Sequence, residues 1–126
     1  MERATRRGRT EPVRYLAAGL AVVAGLIHFA VAPDHFAEAF EFGSFMVLVG
    51  TAQVAAGLLL LARPTRALVQ AALVGTVVVF LIYAVSRTTG LPFGPEPFHP
   101  EAVGLVDLVS KATEALLLMS LIWLLR

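Results

Sequence analysis

His28, His35 and Glu38 fall within eleven positions of one another in GLIHFAVAPDHFAEAF, residues 25–40, where an apolar run gives out. His35 and Glu38 are three apart, a spacing that suits two ligands on one helical turn. His28 and His35 are seven apart and share a face if the helix runs straight, although Pro33 between them is expected to bend or end it. With His99 from a later connection, His28, His35 and Glu38 make a nitrogen and oxygen site for a copper, zinc or iron ion. No His-x-x-x-His pair accompanies them. The chain has no cysteine, which excludes disulfides, thiolate metal sites, iron–sulfur clusters and cysteine nucleophiles.

A second constellation lies in VGLVDLVSKATEALLLMSL, where Asp107, Lys111 and Glu114 follow at spacings of four and three and share a helix face with Ser110 close by. Counted from Ala102 at about 1.5 Å per residue, Glu114 is roughly 18 Å deep, near the middle of a bilayer. A charge at that depth costs about 2.5–3.5 kcal/mol even on the forgiving insertion scale, so this face is expected to look into a bundle. Its expected neighbours are Gln53, Tyr83, Ser86 and His28, which together make a polar pocket. A structural role is equally open: Lys111 neutralises Asp107 and Glu114 in an ion-pair network that sets helix register. On that reading Gln53 is an interhelical hydrogen-bond partner and Tyr83 a member of the interfacial aromatic belt.

The elements that position these groups follow from composition. The chain is 58% hydrophobic and 15% charged, and its mean hydropathy of +0.80 is that of a membrane protein. Four apolar stretches, about 15–32, 44–62, 67–86 and 102–125, are long enough to span a hydrocarbon core of roughly 30 Å as helices. The fold expected is all-α, a four-helix antiparallel transmembrane bundle in one domain, 15–126, behind a basic tail, 1–14. The first span is longer than a signal-peptide core of about 7–15 residues and lacks a small-x-small cleavage site, so it is read as retained. Outer connections are expected at 33–43 and 87–101, the first holding a short interfacial helix over DHFAEAFEF. Small residues at helical intervals, Ala18, Ala21 and Gly25 on the first span and Gly50 and Gly57 on the second, would let backbones approach closely.

Charge sets the orientation. Arg3, Arg6, Arg7, Arg9, Arg14, Arg63, Arg66 and Arg126 fall on one side, whereas Arg87 stands alone in the other side's connections, so both termini are read as cytoplasmic. The outward side collects Asp34, Glu38, Glu41, Glu96 and Glu101 with His35 and His99.

SRTTGLPFGPEPFHPEAVGLVDLVSKATE, residues 86–114, together with IHFAVAPDHFAEAFEFG, resembles small four-span integral membrane proteins of high-GC bacteria. In that family the third helix ends at Ser-Arg-Thr, Gly-Leu-Pro and Gly-Pro follow, and the fourth opens with Pro-Glu-x-Val-Gly. The likeness implies the bacterial cytoplasmic membrane and the same four-span fold, and it carries no biochemical role. His99 is the less characteristic of the histidines in that pattern.

Three functions remain. One is a membrane protein with an outward polar pocket for a metal ion or small ligand. The second is a non-catalytic structural or accessory subunit of a membrane complex, and the third a proton-coupled carrier acting as an oligomer through Glu114. Catalysis has no nucleophile motif, nucleotide loop or cofactor box behind it. The expected partners are the lipid bilayer, a second copy or another membrane protein; no nucleic acid is expected.

Overall fold

Each apolar run lacks the strict alternation of a barrel strand, and in hydrocarbon only intrasegment hydrogen bonding satisfies such a backbone. A computed structural model describes residues 1–126, the side chain of Arg3 lying outside the described set. Four helices follow in order: α1 (Glu2–Glu38), α2 (Phe40–Ala62), α3 (Arg66–Arg87) and α4 (Leu105–Leu125). All four are long and apolar enough to cross a membrane, which fits a multi-pass membrane protein.

The helices run antiparallel in sequence, and the register shows it. Gly25 meets the Gly50 carbonyl on α2, while Gly57 meets the Ala18 carbonyl on α1. A Cβ added at Gly25 or Gly57 would come within 2.7 Å of the facing backbone oxygen, so only glycine permits this approach. The small-residue positions expected from the sequence therefore form the α1–α2 seam. Beside it Ala17, Ala18, Ala21, Leu60, Val69, Leu117 and Leu121 close a dry core.

Two expected boundaries differ. The first span was expected to stop near Ala32 and a separate short helix to follow; instead α1 runs on through both Pro12 and Pro33 to Glu38. The residues Asp34–Phe42 are divided between the end of α1 and the start of α2. Pro33 removes one amide donor, and the helix continues because the stretch around it is largely exposed, so the freed carbonyl is not sealed in the core. Ala39 alone makes the reversal, in extended conformation, its amide donating to the His35 carbonyl at 3.0 Å. A one-residue turn brings the two chains very close, and Gly43 allows it because the Phe36 ring lies where its Cβ would be. The basic residues of 2–14 are helical and continuous with the rest of α1.

At the opposite end arginines cover helix C-termini. Arg14 donates to the Leu60 and Leu61 carbonyls of α2, Arg66 to the Leu125 carbonyl and Arg6 to that of Arg126. These cations satisfy the last orphan carbonyls and oppose the negative dipole ends of α2 and α4. The 88–104 connection is irregular and crosses the acidic end. Gly90 at φ +80° and Gly94 at φ +98° supply turns that other residues resist. Phe42 of α2 packs against Gly94 and the Phe93 ring, which ties this connection to the first hairpin.

Candidate functional site

The acidic end of the bundle holds two charge clusters, one above the other along α4. The deeper is built on Glu114, which has no exposed surface. Its carboxylate is paired with Lys111 one turn earlier. Gln53 Nε2 donates to Oε2 at 3.2 Å, and Ser110 Oγ donates to Oε1 at 3.4 Å. A buried ion pair offsets its desolvation only when further hydrogen bonds fill the remaining lone pairs, and Gln53 and Ser110 provide them. His28, only 5% exposed, stands beside Gln53, Glu114 and Lys111.

The upper cluster centres on Arg87 at the end of α3. Its guanidinium bonds the Glu101 carboxylate at 2.7 Å and the Asp107 carboxylate at 2.9 Å. It also donates to Ser86 Oγ at 2.8 Å. Asp107 accepts the Gly104 amide at 2.9 Å as well, capping the start of α4. His35 of α1 faces Asp107. Tyr83 joins the two clusters, its ring centroid 4.7 Å from the Arg87 guanidinium and 4.9 Å from Lys111 Nζ.

Both histidines are oriented by their own helix. His28 Nδ1 lies 2.8 Å from the Ala24 carbonyl and His35 Nδ1 lies 2.9 Å from the Val31 carbonyl. A carbonyl only accepts, so in each ring Nδ1 carries a proton and donates it, which leaves Nε2 to face the polar groups around it.

Two adjacent cavities border these groups. An inner chamber of about 90 Å³ is lined by His28, His35, Tyr83, Asp107, Ser110 and Lys111 with a wall of aliphatic and aromatic side chains. Above it a vestibule of about 650 Å³ is bounded by Asp34, His35, Glu38, Glu96, His99 and Glu101, under the proline-rich connection. His35, Ser86, Arg87 and Glu101 border both, and this shared wall is called the neck.

Of the expected pocket residues, Tyr83, Asp107 and Lys111 line the chamber with His28, whereas Gln53 and Glu114 are not part of its lining and bond each other. Their pairing differs in one respect. Lys111 bonds Glu114 alone, because the Asp107 carboxylate is taken by Arg87 and the Gly104 amide. The ligand set expected for copper, zinc or iron is not assembled: among the described residues no three His, Asp or Glu side chains gather to hold a metal ion. The reason is the unbroken α1. Seven residues of continuous helix separate His28 from His35 by about 10.5 Å along the axis, far more than one ion with bonds of about 2.0–2.1 Å can bridge. Glu38 and His99 lie with His35 around the vestibule instead.

Arg87 is the residue that sequence reasoning missed. It was counted only as the exception to the basic-side rule. A lone cation at an end rich in carboxylates was the available signal, since such a charge at the mouth of a bundle attracts partners. No family model, curated protein or solved structure matches the chain.

Proposed function

We propose that this protein is a multi-pass membrane protein that binds a small cation, an organic ammonium or a hydrated metal ion, in a pocket open at its acidic end. The observation that carries this reading is the adjacency of vestibule and chamber, which share the wall at His35 and Arg87. Four carboxylates, Asp34, Glu38, Glu96 and Glu101, line the vestibule against the single guanidinium of Arg87. A concave mouth with one dominant sign of charge and low-dielectric walls concentrates ions of opposite sign. The ring edges of His28 and His35 also line the chamber, where Nε2 can meet a ligand's polar groups or water shell.

The acidic end is read as outward and both termini as cytoplasmic, because the described basic residues Arg6, Arg7, Arg9, Arg14, Arg63, Arg66 and Arg126 belong to the opposite end. With the likeness to four-span proteins of high-GC bacteria, the compartment is the bacterial cytoplasmic membrane. A proton-coupled carrier acting as an oligomer is the second reading, favoured by the complete burial of Glu114 beside a chamber-lining lysine.

Titration calorimetry and thermal melting of tag-free protein in detergent test the proposal, with tetramethylammonium and zinc(II) as probes. One of them is expected to bind and raise the melting temperature, and His35→Ala combined with Glu38→Gln is expected to weaken it about tenfold. Neither heat nor melting shift with either probe, in a folded protein, overturns the reading. Elemental mass spectrometry of the same sample separates a further case. One copper, zinc or iron per chain, lost in His28→Ala, would establish a resident metal ion instead.

A further inference from the structure

The basic end of the bundle has an opening of its own, at the opposite pole from the vestibule. Arg7, Glu11 and Arg14 follow at spacings of four and three, which sets them along one face of α1. The segment 2–14 precedes the apolar run and is helical, about 20 Å long at about 1.5 Å per residue. Between its Arg7–Arg14 face, the 63–65 connection and the end of α4 lies a cavity of about 320 Å³. That is within the usual size of a small-ligand site, about 300–1,000 Å³.

Three guanidiniums border this notch, those of Arg7, Arg14 and Arg66, against the one carboxylate of Glu11. Much of their donor capacity is unspent. Arg66 gives Nη1 to the Leu125 carbonyl at 3.3 Å, and among the described residues its Nη2 and Nε meet no acceptor. Arg14 gives Nη1 to the Leu60 and Leu61 carbonyls at 3.4 and 3.3 Å and Nη2 to the Tyr15 hydroxyl, which leaves Nε. These bonds already offset the negative ends of α2 and α4. Arg7 meets Glu11 only at 3.9 Å, between exposed side chains, a contact that holds neither firmly. Thr65 also lines the notch; its Oγ1 accepts the Leu68 amide at 3.1 Å, so its own proton is left to donate. Cations outnumber carboxylates here and donors outnumber acceptors, a balance that selects an anion with several oxygens. Guanidinium forks match phosphate oxygens in bidentate pairs.

The rest of the wall decides which phosphate. Leu60, Val69, Leu124 and Leu125 complete it, and Arg14 and Arg66 sit where the apolar runs at 15 and 67 begin, the level of lipid headgroups. A free phosphate ion gains nothing from an apolar wall, whereas a phospholipid carries glycerol and acyl carbons behind its phosphate. We propose that this notch binds the phosphate headgroup of an anionic phospholipid. Its oxygens are held by Arg14 and Arg66, and its glycerol and first acyl carbons lie against Leu124 and Leu125. A zwitterionic headgroup brings a cation toward three guanidiniums and is disfavoured. The site is independent of the cation pocket at the other end of the bundle.

Native mass spectrometry of the full chain, delipidated in detergent, tests it with dioleoyl-phosphatidylglycerol and dioleoyl-phosphatidylcholine as probes. The anionic lipid is expected to bind about tenfold more tightly. Arg66→Gln is expected to erase most of that preference, and Glu11→Gln, which removes the one opposing carboxylate, to enlarge it. Arg9→Gln and Arg63→Gln take the same charge from the same end at residues that do not line the notch, and are expected to leave the preference unchanged. Arg9, Arg63 and Arg66 are exposed and Glu11 half-buried, so these variants fold. Equal binding of the two lipids overturns the proposal. So does a loss in Arg9→Gln or Arg63→Gln as large as in Arg66→Gln, because diffuse surface charge then accounts for the binding. Displacement of the anionic lipid by an equal concentration of inorganic phosphate, at constant ionic strength, also overturns it and makes the site one for a free ion.

Discussion

Toward the basic end the core beside α1 closes on alanines and leucines; toward the acidic end polar and charged side chains border open space. Ala17, Ala18 and Ala21 let Leu60, Leu117 and Leu121 close a core with no polar group to satisfy. Two turns and more toward the other end, Ser86 and Ser110 border a chamber, and buried charge replaces buried leucine. The comparison teaches a division of labour within four helices: one half supplies the packing that holds the other half open. A bundle that buries Glu114 and Lys111 needs a seam elsewhere that does not depend on them.

Breaking one partner of the deep pair is expected to have the largest effect. Lys111→Met leaves Glu114 buried without its cation, a loss of about 3–5 kcal/mol in denaturant unfolding in detergent. Adding Glu114→Gln is expected to restore most of it, since coupled neighbours are not additive. Leu117→Ala in the packed half is expected to cost about 2–5 kcal/mol and to leave cation binding to the folded fraction unchanged. If it abolishes binding at full occupancy of the folded state, the two halves are not separable. Arg87→Met, at the neck, is expected to lower stability by about 1–3 kcal/mol, less than the deep pair because Glu101 and Asp107 retain contact with water. Its sharper readout is the vestibule, where removing the one cation is expected to raise affinity for a cationic probe. The smallest effect belongs to the basic rim: Arg66→Ala, which uncaps the Leu125 carbonyl, is expected to cost about 0.3–1 kcal/mol.

Much of this division is legible in the sequence. Run length and hydropathy located the four helices, because spanning segments have to satisfy their own backbones. Gly25, Gly50 and Gly57 marked the seam, since their spacing keeps them on one face. Asp107, Lys111 and Glu114 were assigned to the interior because charge at that depth has nowhere else to go. Pairing was harder to read. Helical spacing puts Lys111 within reach of both acids, and only the fold shows that Arg87, twenty residues from Asp107, reaches Asp107 first. Prolines misled for a related reason. Pro33 costs a hydrogen bond wherever it sits, but at an exposed end of α1 that loss is small enough for the helix to continue, and the metal site imagined around a bend disappears with the bend.

The central claim is that the acidic end opens into a chamber that favours cations, and the absence of native cysteine makes it directly testable. Ser110, 6% exposed and part of the chamber wall, is replaced by cysteine, and right-side-out vesicles are treated with membrane-impermeant methanethiosulfonates bearing either a trimethylammonium or a sulfonate group. The account predicts modification from the outside, faster with the cationic reagent by about tenfold or more at low salt. A cysteine that reacts with neither reagent, or at equal rates with both, would contradict it.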